Sequence, residues 1–159
     1  MPPLPPRRRA ADVLATIAPL VTRFTERVLA EHDPPLTPAQ LLALRAVAGG
    51  AGSAHELARR AAVSEAAVSQ LVIGLEERGL IARDRVPGDR RRLTMRLTPA
   101  GIWALESADR RLADMLADVV AAVPPAEAAT LGRLLAGVES AFADRPPPPR
   151  PPRSRPPRR

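Results

Sequence analysis

A chain of 159 residues has room for one domain, and with 45% apolar but only 2% aromatic residues its core must be built from Leu, Val, Ile and Ala. The absence of cysteine excludes disulfides, thiolate metal sites and thiol redox sensing, and the two isolated histidines, His32 and His55, read as helix-surface residues rather than a metal pair. The net charge of +7 resides at the ends: residues 1–9 carry three arginines and residues 145–159 six, with no acid in either, while residues 10–144 sum to −2.

Residues 1–9 read as a disordered basic N-terminus, followed by a first helix from Ala10 to Glu31. Val13, Ile17, Leu20, Phe24 and Val28 recur at intervals of three and four, one apolar stripe on a helical period. Pro34 and Pro35 end it. Thr37-Pro38-Ala39-Gln40 then gives a capping Thr, a proline at the first helical position and a Gln three residues past the cap. Leu41, Leu42, Leu44 and Val47 are expected to form the buried face of that second helix, and Gly49-Gly50 to stop it. A short third helix starts at Ser53, with Glu56 completing another capping box, Leu57 pointing inward and Arg59-Arg60 outward. Ala61-Ala62-Val63 reads as a tight turn and Ser64 as the cap of a fourth helix, which runs to Arg78 and stops at Gly79. Helix, short turn and capped helix together are a helix-turn-helix.

The period then changes. Leu80 to Val86 and Arg92 to Leu97 read as two strands around Pro87-Gly88-Asp89, with Leu93, Met95 and Leu97 alternating against Arg92, Thr94 and Arg96. A hairpin directly after a recognition-type helix is a wing. Thr98-Pro99 opens a long helix to about Val123, carrying Ile102, Leu105, Leu112, Leu116 and Val119. Pro124-Pro125 breaks it, and a last helix carries Leu131, Leu134, Leu135, Val138 and Phe142. Residues 144–159, rich in Pro and Arg, read as a disordered tail that cannot pack a core.

Nothing here suggests an enzyme. There is no Gly-rich phosphate loop, no histidine pair, no cysteine nucleophile and no tyrosine; Ser53 and Ser64 are accounted for as caps, and no cofactor or metal is called for. No run of about 18 apolar residues is present, so no membrane span is expected, and the N-terminus lacks a signal-peptide cleavage pattern. The expected setting is the cytoplasm. Charge points to a polyanion. Residues 78–96 hold seven arginines against Asp84 and Asp89, a +5 patch within an acidic body. Arg-rich coding bias is the competing source of that charge.

A recognition helix exposes short polar side chains near its N-terminus to reach base edges in the major groove. Ser64, Glu65, Ala66, Ala67, Ser69 and Gln70 occupy those positions, while Val68, Leu71, Val72 and Leu75 hold the inward face. Gln can bond adenine in a bidentate way, and Ser can bond bases or phosphate.

Residues 89–101, DRRRLTMRLTPAG, together with VSEAAVSQLVIGLEERGLIAR at 63–83, resemble the MarR (multiple antibiotic resistance regulator) family over residues 10–143. Asp89, Arg91, Leu97, Thr98 and Gly101 fall on its wing pattern. The resemblance implies a mainly α fold: a winged helix-turn-helix at 37–98 with a two-stranded β wing, and long dimerisation helices at 10–31 and 99–143. It implies that Arg91 enters the minor groove, where a narrow groove concentrates negative potential, that Asp89 buttresses it, and that Arg90 and Arg92 meet phosphates. The partners implied are double-stranded DNA, a second copy of the chain, and a small aromatic or lipophilic effector in a cleft near Phe24, Leu41, Leu44 and Trp103. One departure stands out: Ile73-Gly74 replaces an acid and a base. The function implied is a ligand-relieved repressor on a palindromic operator. The alternative is a winged-helix interaction module without specific DNA binding, and a metal-sensing winged helix is opposed by the missing cysteines.

Overall fold

The first helix, α1 (Pro6–Ala30), starts a turn earlier than its apolar stripe. The computed structural model describes residues 5–60, 65–86 and 89–143, apart from the side chains of Arg59, Glu65, Ala66, Val86, residues 89–93 and Ala143. Pro6 occupies the first helical position, where its missing N–H costs nothing, and Arg8 pairs with Asp12 one turn on at 3.0 Å. Arg7, Arg8 and Arg9, expected in a disordered segment, therefore form the first turn of α1. Only Val28 and Leu29 of this helix are buried. Val13, Ile17 and Leu20 are 55%, 39% and 53% exposed, so most of the periodic stripe faces away from the chain's own core.

Helix α2 (Pro38–Ala48) carries the expected capping box: the Gln40 amide donates to Thr37 Oγ1 at 3.2 Å, and the Thr37 amide donates to Gln40 Oε1 at 2.9 Å. It ends at Gly50, whose φ of 88° suits a residue without Cβ. The Gly50 and Ala51 amides turn back to the carbonyls of Val47 and Ala46. Leu41, Leu44 and Val47 are buried as expected, but Leu42 is 43% exposed. One residue on from Leu41 lies about 100° around a helix, outside the i, i+3 row.

Helices α3 (Ala54–Arg60) and α4 (Glu65–Glu77) follow, then the antiparallel strands β1 (Ile81–Val86) and β2 (Asp89–Leu97), and helix α5 (Pro99–Val120). The strand β2 starts at Asp89 rather than Arg92, and α5 stops short of Val123. Leu29, Leu44, Leu57, Val68 and Leu75, drawn from α1 to α4, are the largest fully buried side chains. Ala104 and Ala108 of α5 have no exposure, their small side chains admitting that helix close to the others. This is a mainly α winged helix-turn-helix with a two-stranded wing. No helix of the described residues is long and apolar enough to cross a membrane.

The chain divides into two compact units, Met1–Pro124 and Pro125–Arg159. The second contains α6 (Pro125–Ala143), on which Leu134, Leu135 and Phe142 are 65%, 46% and 69% exposed.

His32 corrects the sequence reading. It is 7% exposed rather than on a helix surface. Its Nδ1 donates to the Pro34 carbonyl and its Nε2 meets Ser107 Oγ on α5, both at 2.9 Å. Residue 107 is too distant in sequence for a pattern to reveal the pairing.

Candidate nucleic-acid interface

The helix-turn-helix is set at its first end by a cap. The Glu56 amide donates to Ser53 Oγ, and the Ser53 and Gly52 amides donate back to Glu56 Oε2 at 3.2 and 3.0 Å. Those backbone N–H groups, Ser53's first, hold the Glu56 carboxyl below its ordinary 4.5 because they favour the charged form. Leu57, one residue on, is fully buried.

Helix α4 is divided cleanly into faces. Val68, Val72 and Leu75 are buried and Leu71 packs against them, as expected. Ala67, Ser69 and Gln70, three of the candidates, are exposed. Ser64 lies outside the described residues, as do the side chains of Glu65 and Ala66. The far end is closed by a Schellman motif. Gly79 has φ 65°, the Leu80 amide donates to the Leu75 carbonyl, and the Gly79 amide donates to that of Glu76. Arg78 then ties this end of α4 to the start of α2, donating to the Pro35 carbonyl at 2.6 Å and to Gln40 Oε1 at 3.3 Å.

The hairpin is fastened to this frame at two places. The Met95 amide donates to the Gly52 carbonyl at 3.1 Å, and a Cβ on Gly52 would come within 2.6 Å of Thr94 Oγ1. Thr98 caps α5 by accepting from the Gly101 amide, while its own hydroxyl donates to the Gly79 carbonyl at 2.6 Å. Gly101 sits so close that a Cβ would lie 1.9 Å from the Leu80 oxygen. Leu97, Thr98 and Gly101 of the wing pattern thus weld the hairpin between α4 and α5.

Ladder pairing is regular from Ile81↔Leu97 to Arg85↔Leu93 and then jumps to Val86↔Asp89. Arg90, Arg91 and Arg92 therefore lie together in a bulge of β2, a device that re-aims side chains at a strand end. The side chains of Asp89, Arg90, Arg91 and Arg92 are outside the described residues. Elsewhere the basic patch is smaller than its composition suggests. Arg83 pairs with Glu76 at 3.0 Å, Arg96 pairs with Asp84 across the strands, and Arg78 is held as above. All three remain exposed while so partnered. Their acidic or carbonyl partners come from other elements, which a count of charges along the chain cannot show. Gly52 and Arg78 were missed as contributors for the same reason.

The four effector candidates do not converge. Leu44 is fully buried in the core, Phe24 packs against it half-buried, and Trp103 is 56% exposed on α5 with its ring centroid 6.2 Å from that of His32. Leu41 alone lines a groove of about 460 Å³ between α1, α2 and α5, with Val21, Leu42, Arg45, Leu112 and Leu116. At its edge Arg45 donates to Asp109 Oδ1 at 2.6 Å.

A model of the MarR family matches residues 35–92. The proposed transcriptional regulatory protein for the hcr operon of Thauera aromatica is 36% identical over 101 residues, a stretch spanning 63% of this chain and 61% of that protein. A MarR family protein from Bacillus stearothermophilus superposes with a TM-score of 0.74 at 23% identity, covering 89% of this chain and 100% of that one. The Mycobacterium tuberculosis MarR family protein RV2887, solved in complex with salicylic acid, gives 0.67 at 24% identity over 79% and 93% of the two chains. At such identities the superpositions speak for the fold.

Proposed function

We propose that this chain, whose residues 35–92 match a model of the MarR family, is a DNA-binding transcriptional regulator of that family that works in the cytoplasm as a homodimer on a palindromic operator. The observation that carries this reading is the two-faced α4. Its buried row of Val68, Val72 and Leu75 fixes the helix, and its exposed Ser69 and Gln70 stand clear beside a hairpin whose bulge gathers Arg90 to Arg92. Helix and wing would enter adjacent grooves, Gln70 reading a base edge and Arg91 the minor groove, with Asp89 as its buttress. Ser64, Glu65, Ala66 and Ala67 complete the helix's DNA-facing end, and Arg90 and Arg92 meet phosphate. Partner chains would meet through the apolar rows left exposed on α1 and α6, and a C2 pair would space half-site centres about 34 Å apart.

The groove beside Leu41 is of a size that admits a small aromatic or lipophilic molecule, and an acidic one would have to draw Arg45 away from Asp109. Binding there would shift α1 and α5 against α2 and release the operator, which makes the regulator a ligand-relieved repressor.

The test is selection of duplexes from a randomised library by the purified protein, followed by titration. Arg91→Ala and Gln70→Ala should each weaken binding to the selected duplex at least about tenfold, the scale of one good base contact, with helicity intact. Selection that enriches no sequence would contradict the reading.

A further inference from the structure

Among the described residues, one large apolar side chain stands on the exposed face of α4. Ile73 follows Ser69 by four residues and Gln70 by three, so the three share a face, and Ile73 is 43% exposed. The buried row of Val68, Val72 and Leu75 is already complete without it. Together with Ser69, Arg83 and Met95, Ile73 lines a hollow of about 420 Å³ between α4, the start of α3 and the hairpin. Beside it, Gly74 sits within the continuous helix, at a cost of about 1 kcal/mol relative to Ala. The chain's own packing does not demand that glycine, since a Cβ built on it meets nothing within 4 Å. Ile73 and Gly74 thus form an apolar point next to a bare stretch of backbone, on the face that carries Ser69 and Gln70.

The major groove presents donors and acceptors at every base pair and one prominent apolar group, the 5-methyl of thymine. We propose that Ile73 is a specificity residue that reads a thymine 5-methyl group, with Gly74 leaving room for the helix to settle close enough to reach it. This rests on the DNA-binding reading above. Packing Ile73 on a methyl removes both from water, whereas a cytosine at that position would leave Ile73 against a polar edge. Gln70, on the same face, is placed to bond an adenine nearby, so each half-site should contain adjacent A·T pairs.

The experiment uses the full chain and the duplex that it selects from a random library, with each thymine replaced in turn by deoxyuridine, which lacks only the methyl. At one position per half-site the replacement should weaken wild-type binding about fourfold, the worth of one buried methyl-sized group. The same replacement should leave Ile73→Ala, already weaker, unchanged. Because Ile73 is outside the core, the variant's helicity and thermal midpoint should match wild type. Uracil replacement without effect at every position overturns the assignment while leaving the DNA reading standing, and so does an equal loss for wild type and variant. Absence of any selected sequence overturns both.

Discussion

A methyl group added at Gly101 would collide with the Leu80 carbonyl, while one added at Gly74 would meet open space. The two glycines should therefore respond in opposite directions. Gly101→Ala must push α5 away from the hairpin and should cost about 1–3 kcal/mol or more, whereas Gly74→Ala should gain up to about 1 kcal/mol from helix propensity. Denaturant midpoints measure both, and equal shifts would contradict the packing described. The sequence marks Gly101 as part of a pattern but not why, because Leu80 approaches it only in three dimensions. His32 is a similar case, its Ser107 partner lying 75 residues on in α5. Glu56 gives a pH signature. Its folded carboxyl titrates below the ordinary 4.5 because the Ser53 and Gly52 amides favour the charge. Its contribution to stability is then complete above that ordinary value and is lost as pH falls through the lowered one. Carbon NMR titration of the Glu56 carboxyl should show the depression, and Ser53→Ala should reduce it. An undepressed carboxyl would remove the cap as described.

At the scale of elements, sequence located α2 and α4 to within about a residue, because the Thr37 capping box, Gly50 and Gly79 mark their ends with local chemistry, whereas β2 begins at Asp89 and α5 ends at Val120, away from the expected bounds. Periodicity could not say against what each apolar row packs. The stripe of α1 is regular from Val13 to Val28, yet only its last turns enter the core. The bulge in β2 was equally hidden, since three successive arginines give no alternation from which a register can be read. The unspent part of α1 yields a prediction: Ile17→Asp with Leu20→Asp should convert a dimer of about 34 kDa, twice the 17.0 kDa chain, into a monomer with α-helical content preserved. Sedimentation equilibrium checks it. A wild-type monomer at all concentrations, or a double variant that still pairs, would remove α1 from the interface.

For the whole molecule, charge is the quantity that sequence alone apportions least well. Arg78, Arg83 and Arg96 are exposed yet each is partnered by another element, so a count of arginines does not say which are available to a polyanion. Residues 145–159 add six arginines and no acid. We propose that they supply unspecific phosphate contacts, each adding about 0.9 to the magnitude of the log–log salt slope. Removing them should flatten that slope and weaken binding to every duplex alike, and an unchanged slope would deny them the role. The most direct measurement is the ratio of affinities for the selected duplex and a scrambled one of equal length, at one fixed salt concentration. A sequence-reading α4 predicts a ratio on the order of 10³ or greater, reduced in Gln70→Ala and retained when the tail is removed. A ratio near one for the full-length protein would contradict the account.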